Sequence, residues 1–76
     1  MDERELLREL GRRIRSQRKQ IGLTQEALAL AAGVDRSYYG AVERGERNIT
    51  FTVLCRLCLA LQSDVAALTS GIPISP

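Results

Sequence analysis

The sequence contains no histidine and no tryptophan. Without histidine, the side chain used most often for general acid–base work is missing, and so is the imidazole metal ligand. Cysteine occurs only at Cys55 and Cys58. Two thiols with no imidazole cannot complete a four-ligand thiolate or imidazole zinc site within one chain. Proline is confined to Pro73 and Pro76, in the last four residues. Long helices are therefore allowed almost everywhere before that tail. The only aromatics are Tyr38, Tyr39 and Phe51. The longest apolar stretch, Val53 to Leu61, is broken by Arg56 and falls far short of a bilayer span. The N-terminus is charged and shows no apolar signal segment, so a cytoplasmic chain without a membrane partner is expected. Asn48-Ile49-Thr50 matches a glycosylation sequon, which carries no weight in a cytosolic protein.

What is present is one small domain, residues 1–76. A chain this short buries little, so a partner subunit is one route to stability. The net charge of +2 is unevenly spread. Residues 1–11 carry −2, residues 12–47 carry +4, and residues 48–76 are neutral. A basic middle is the footprint expected of a polyanion-binding surface.

Caps and periodicity give five helices and an all-α class. The first covers about Asp2 to Ile21, with Leu7, Leu10, Ile14 and Ile21 on one stripe and acids in its first turn. Thr24 caps the second, with Leu28 and Ala31 expected to face inward, and Gly33 ends it. Asp35 caps the third, which runs to about Arg44 and stops at Gly45. Thr50 caps the fourth, where Leu54, Leu57, Cys58 and Leu61 follow helical spacing. Asp64 caps a short fifth, Val65 to Thr69. The tail GIPISP is expected to fray or to lie against a neighbour.

Arg18 falls on the apolar stripe of the first helix, four after Ile14 and three before Ile21. A charge there is costly unless paired. Glu43, beside the inward Val42, is the best candidate partner, so an Arg18–Glu43 ion pair joining the first and third helices is predicted.

The second and third helices are separated only by Gly33 and Val34. Two helices joined by a tight glycine-containing turn form a helix-turn-helix, here about residues 24–44. In that unit the second helix enters the major groove and its N-terminal residues meet base edges. Val34, Tyr39 and Val42 serve the core. The other side presents Arg36, Ser37, Tyr38 and Ala41. Arg36 suits guanine, Ser37 a base or phosphate, and Tyr38 a thymine methyl or a phosphate. Gln25, at the start of the second helix, suits a phosphate. Arg47 and Asn48, in the following loop, suit the adjacent backbone. Arg15 and Lys19 add longer-range attraction.

GLTQEALALAAGVDRSYYGAVERGERN resembles the phage-repressor (XRE) type of helix-turn-helix, over about residues 5 to 69. The cues are Gly22-Leu23-Thr24-Gln25-Glu26, Leu28-Ala29, Gly33-Val34 and Glu43-Arg44-Gly45. Within that family the chain is most similar to controllers of restriction–modification systems, which carry a comparable Asp-Arg-Ser-Tyr run followed by Glu-Arg-Gly and Arg-Asn. The resemblance implies a five-helix phage-repressor-like fold and a homodimeric transcription regulator on a palindromic operator. It also implies Arg36, Ser37 and Tyr38 as readers of double-stranded DNA, RNA polymerase as a further candidate partner, no cofactor, and an Arg18–Glu43 pair as usual in the fold. The chain departs from the pattern at Gly40, where many relatives carry a phosphate-contacting serine, and at Ile49, where proline is common.

Phe51, Val53, Leu59, Val65, Leu68 and Ile72 exceed what one small core can hold. They are expected to form a two-fold interface within about residues 51–72. The two reading helices would then stand about 34 Å apart, one DNA turn. Cys55 and Cys58 match C-x-x-C but lie mid-helix, away from the helix N-terminus where thiols are activated. Reduced structural thiols are expected rather than a thiol oxidoreductase. A generic phage-type or antitoxin-type repressor and a protein-interaction module that kept the fold are the remaining competitors.

Overall fold

The computed structural model describes residues 1–74, and these form five helices. They are α1 (Glu3–Gln20), α2 (Gln25–Ala32), α3 (Arg36–Glu43), α4 (Phe51–Ala60) and α5 (Val65–Thr69). Every helix begins on a side chain that accepts a hydrogen bond from its own first turn: Asp2, Thr24, Asp35, Thr50 and Asp64. Such a cap satisfies an amide the helix cannot pair internally. Asp2 goes further, because Glu5 reaches back to its amide and closes a capping box. At the other end of α2, Gly33 adopts φ 70°, the left-handed turn that L residues resist and that reverses the chain into α3.

α1 packs on α3 and α5, α2 on α3 and α4, and α4 on α5. Tyr39, Ile14, Leu28, Leu57 and Leu61 are completely enclosed at the centre. Leu10, Ile21, Val34 and Val53 pack around them. On α2 the inward face is Leu28, Ala29 and Ala32, while Ala31 is exposed. The helix is rolled by about one position from the expected face, because Ala32, not Ala31, stacks one turn after Leu28. Leu68 also departs from expectation: it is core, 5% exposed, with little surface left to offer a second subunit. Its helix is turned inward by the contacts of α5 with both α1 and α4.

Gly11 makes the α1–α3 crossing possible. A Cβ there would stand 2.5 Å from the Val42 carbonyl oxygen and closer still to that of Glu43. α1 also secures the far end of the chain. Arg13 donates to the carbonyls of Leu68 and Ser70 at 3.1 and 2.6 Å, and Gln17 donates to that of Leu61 at 3.0 Å. On the same helix Arg12 and Arg13 grip Glu9, and their hydrogen bonds hold its carboxyl down to about 2. No helix is long and apolar enough to cross a membrane among the described residues. The expectation for the tail extends to Ser75 and Pro76, which lie outside the described residues.

Candidate nucleic-acid interface

The core side of α3 is anchored through its last residue. Glu43 is buried, and its carboxylate accepts from Arg18 Nε at 2.7 Å and Nη2 at 3.1 Å. It also accepts from Gln25 Nε2 at 3.0 Å and from the Tyr39 hydroxyl. Arg18 uses its remaining nitrogen on the Leu23 carbonyl, at 2.9 Å, in the turn before α2. One carboxylate thus binds α1, α2 and α3 together. Burial alone would raise the Glu43 carboxyl, but the bonds from Arg18, Tyr39 and Gln25 outweigh it and hold it below its ordinary value. Burial and the adjacent Glu43 carboxylate push the Tyr39 hydroxyl far above its ordinary value. Among the described residues no buried side-chain polar atom is left without a partner.

With its reverse side fixed this way, α3 offers the opposite side to solvent. Arg36 and Ser37 are exposed at its first turn. Tyr38 is half-buried, and it bridges to the loop that follows α3. Its hydroxyl donates to the Asn48 carbonyl at 3.4 Å, and the Arg47 guanidinium lies over its ring, 5.3 Å from the centroid. The structure therefore brings Tyr38, Arg47 and Asn48 into one cluster beside Arg36 and Ser37. At 3.4 Å the Tyr38 bond is at the weak end of its range, so the hydroxyl can be redirected at small cost. The Asn48 side chain accepts from the Ile49 amide at 3.1 Å, and its NH₂ donates to no acceptor among the described residues.

Ala41 is a correction. It was expected on the DNA-facing side, but only 9% of it is exposed. The chain after α3 folds back on the helix, with the Glu46 amide donating to the Ala41 carbonyl at 2.9 Å. That bond closes the C-terminus of α3 around Gly45, and with Ala41 buried the exposed residues of the helix are Arg36 and Ser37 at its first turn. Gln25 has a different standing. One hydrogen of its amide is directed at Glu43, and the other remains for an outside acceptor.

Of the apolar residues expected between subunits, Phe51 and Leu59 are 68% and 82% exposed. Val53, Val65 and Ile72 are half-buried; Val65 lies beside Leu59, whereas Ile72 lies against Leu6, Leu7 and Leu10 of α1. Cys58 is buried and Cys55 half-buried, and both are free thiols. Burial, with smaller contributions from Cys55 and Asp64, pushes the Cys58 thiol up, the opposite of an activated nucleophile. Sequence reasoning missed Arg44, which borders a groove with Arg15, Arg18, Gln25 and Glu43. The Glu-Arg-Gly run drew attention to family resemblance and not to where the arginine would lie.

Comparison with known proteins agrees with this geometry. A helix-turn-helix family model matches residues 14–68. Control protein C.SmaI of Serratia marcescens is 44% identical over 68 residues, which span 90% of this chain and 77% of that protein. The crystal structure of the restriction–modification controller protein C.AhdI from Aeromonas hydrophila superposes with a TM-score of 0.79 at 42% identity, covering 84% of this chain and 96% of that one. C.Esp1396I, solved as a tetramer in complex with its natural 35 base-pair operator, superposes with a TM-score of 0.77 at 32% identity, covering 83% of each. A framework of five capped helices with an exposed third-helix edge, matched over this length, places the chain in the XRE-type helix-turn-helix family of DNA-binding regulators, alongside the restriction–modification control proteins.

Proposed function

We propose that two copies of this chain bind one palindromic operator in the cytoplasm and control transcription of a restriction–modification system, with no catalytic step of their own. The observation that carries this reading is the exposed first turn of α3. Arg36 and Ser37 stand in solvent on a helix whose other side is locked by Glu43. Arg36 reads guanine through two parallel hydrogen bonds, and Ser37 accepts or donates to a base or phosphate. Tyr38, Arg47 and Asn48 hold the flanking backbone, and Gln25 offers its free amide hydrogen to a phosphate. Phe51 and Leu59, with Val65 beside Leu59, form the centre of the two-fold contact, and Val53 and Ile72 join it from other parts of the surface. RNA polymerase is the partner through which such a regulator acts on transcription.

The test starts from duplexes that the protein itself selects out of a randomised library. Arg36→Ala should cost about 1–3 kcal/mol on the selected site and relax the choice of base at one position in each half-site. Arg47→Ala should weaken binding evenly across sequences and flatten the salt dependence by about one unit per subunit. An Arg36→Ala protein that selects the same sites with the same affinity would remove the reading head from α3. A parent protein that selects nothing, yet is retained by an acidic polypeptide, would favour the interaction-module alternative.

A further inference from the structure

We propose that Arg44 grips an operator phosphate from the space that Gly40 leaves open, a contact added to those assigned above. The proposal rests on the DNA-binding reading. Its observations are separate ones. Gly40 is buried, and a Cβ placed on it would meet Arg44 Nη1 at 3.2 Å and Gln25 Oε1 at 3.8 Å. The Arg44 guanidinium therefore lies across α3 in the space where any other residue at 40 would project. Only its Nε is engaged, donating to Glu46 at 3.1 Å. Among the described residues its two Nη groups meet no hydrogen-bond acceptor, and the side chain is 58% exposed.

Arg44 is thus aimed but not consumed. Glu46 fixes the near edge of the fork and leaves the far edge for a second acceptor. A phosphate suits that edge, because a planar guanidinium holds two oxygens in parallel. The groove it borders, about 420 Å³, also has Arg15 on its rim. The carboxylate on its floor, Glu43, is already matched by Arg18, so the floor does not repel an anion as a free carboxylate would. Glu46 remains as the opposing charge, held at Nε. At position 40 a short hydroxyl could reach the backbone directly. Glycine removes that reach and gives the space to a longer cation.

The experiment measures operator affinity against salt for the parent, Arg44→Gln, Arg44→Lys, Gly40→Ala and the Gly40→Ala/Arg44→Gln double variant, on a duplex selected by the parent. Circular dichroism and melting temperature establish that each is folded. Arg44→Gln should bind roughly tenfold more weakly near physiological salt, with the slope of log K against log salt reduced by about one per subunit. A merely structural arginine would not move that slope. Arg44→Lys should keep the slope, since the charge remains. Gly40→Ala should weaken the parent about threefold by displacing Arg44, and should do nothing once Arg44 is gone. An unchanged slope in Arg44→Gln overturns the assignment while the parent still binds. Additive effects of the two substitutions break the link to Gly40. A parent that binds no duplex removes the DNA reading itself.

Discussion

Replacing Glu43 by alanine should remove a large part of this protein's stability. The carboxylate side chain is 2% exposed and its Arg18 partner 10%. Without Glu43, a guanidinium held inside the domain keeps only the Leu23 carbonyl, and the Gln25 amide and Tyr39 hydroxyl lose an acceptor as well. Removing one partner of a buried pair typically costs about 3–5 kcal/mol, because the other charge stays behind unpaired. A single small domain holds only about 5–15 kcal/mol in total. At about 4–8 °C per kcal/mol for a chain of this size, the melting temperature should fall by roughly 12–40 °C. Thermal and urea unfolding at one fixed protein concentration read this directly, since association would otherwise shift the midpoint. The double replacement Arg18→Met/Glu43→Leu separates causes: it should recover most of the loss, because the penalty lies in the stranded charge. The pH dependence has a definite sign. Glu43 titrates below its ordinary value of 4.5 in the folded chain, so its contribution is complete above that value and is lost as pH falls through the folded one. A Glu43→Ala protein within about 1 kcal/mol of the parent would refute the reasoning, and would mean that Arg18 reaches solvent along its stem.

Three further outcomes follow from the packing. Tyr39→Phe should cost about 1.5–3 kcal/mol at neutral pH, the worth of a hydrogen bond to a charged group. Because burial and Glu43 hold the Tyr39 hydroxyl above its ordinary value of 10.0, the parent should lose stability as pH rises past that value, by up to about 1.4 kcal/mol per pH unit, and the phenylalanine variant should lose less. Gly11→Ala should destabilise by at least about 1–3 kcal/mol despite alanine's better helix propensity, since its methyl would press on the Val42 and Glu43 carbonyls; unfolding in urea measures it. Leu68→Ala should cost about 2–5 kcal/mol in folding, while Leu59→Asp should leave the fold intact and shift sedimentation from dimer to monomer.

Some of this was legible in the sequence and some could not be. The caps were, because Thr24, Asp35, Thr50 and Asp64 act on amides three residues away. Arg18 was, because a cation on an apolar stripe needs an anion, and few were positioned to supply it. Ala41 and Leu68 were misread because the periodicity of a helix gives its faces but not which of them a later segment covers. Ala41 is 9% exposed, and Leu68 is enclosed where α5 meets α1 and α4. Gly11 did carry a signal, since a glycine mid-helix is about 1 kcal/mol worse than alanine and needs a reason. Arg13 and Gln17 carried none. They complete helix ends more than 40 residues downstream, and nothing local to them records it.

The position of the ion network explains why so small a core includes charges at all. An apolar cluster resists separation but has no direction, so helices held by it alone can pivot. The bonds that converge on Glu43 come from three helices, and those with Arg18 and Gln25 lie between 2.7 and 3.1 Å. Hydrogen bonds of that length fail quickly when their angles change. Arg36 begins the same helix that Glu43 ends, seven residues away, which is about 10 Å along the axis. A tilt of roughly 6° at the Glu43 end would move the first turn by about 1 Å, more than the roughly 0.5 Å within which a binding constellation must be held. The network's contribution is therefore angular as much as energetic. It sits at the rear of the helix whose front turn presents Arg36, so on the proposed DNA-reading role an apolar replacement should restore stability without restoring operator selectivity.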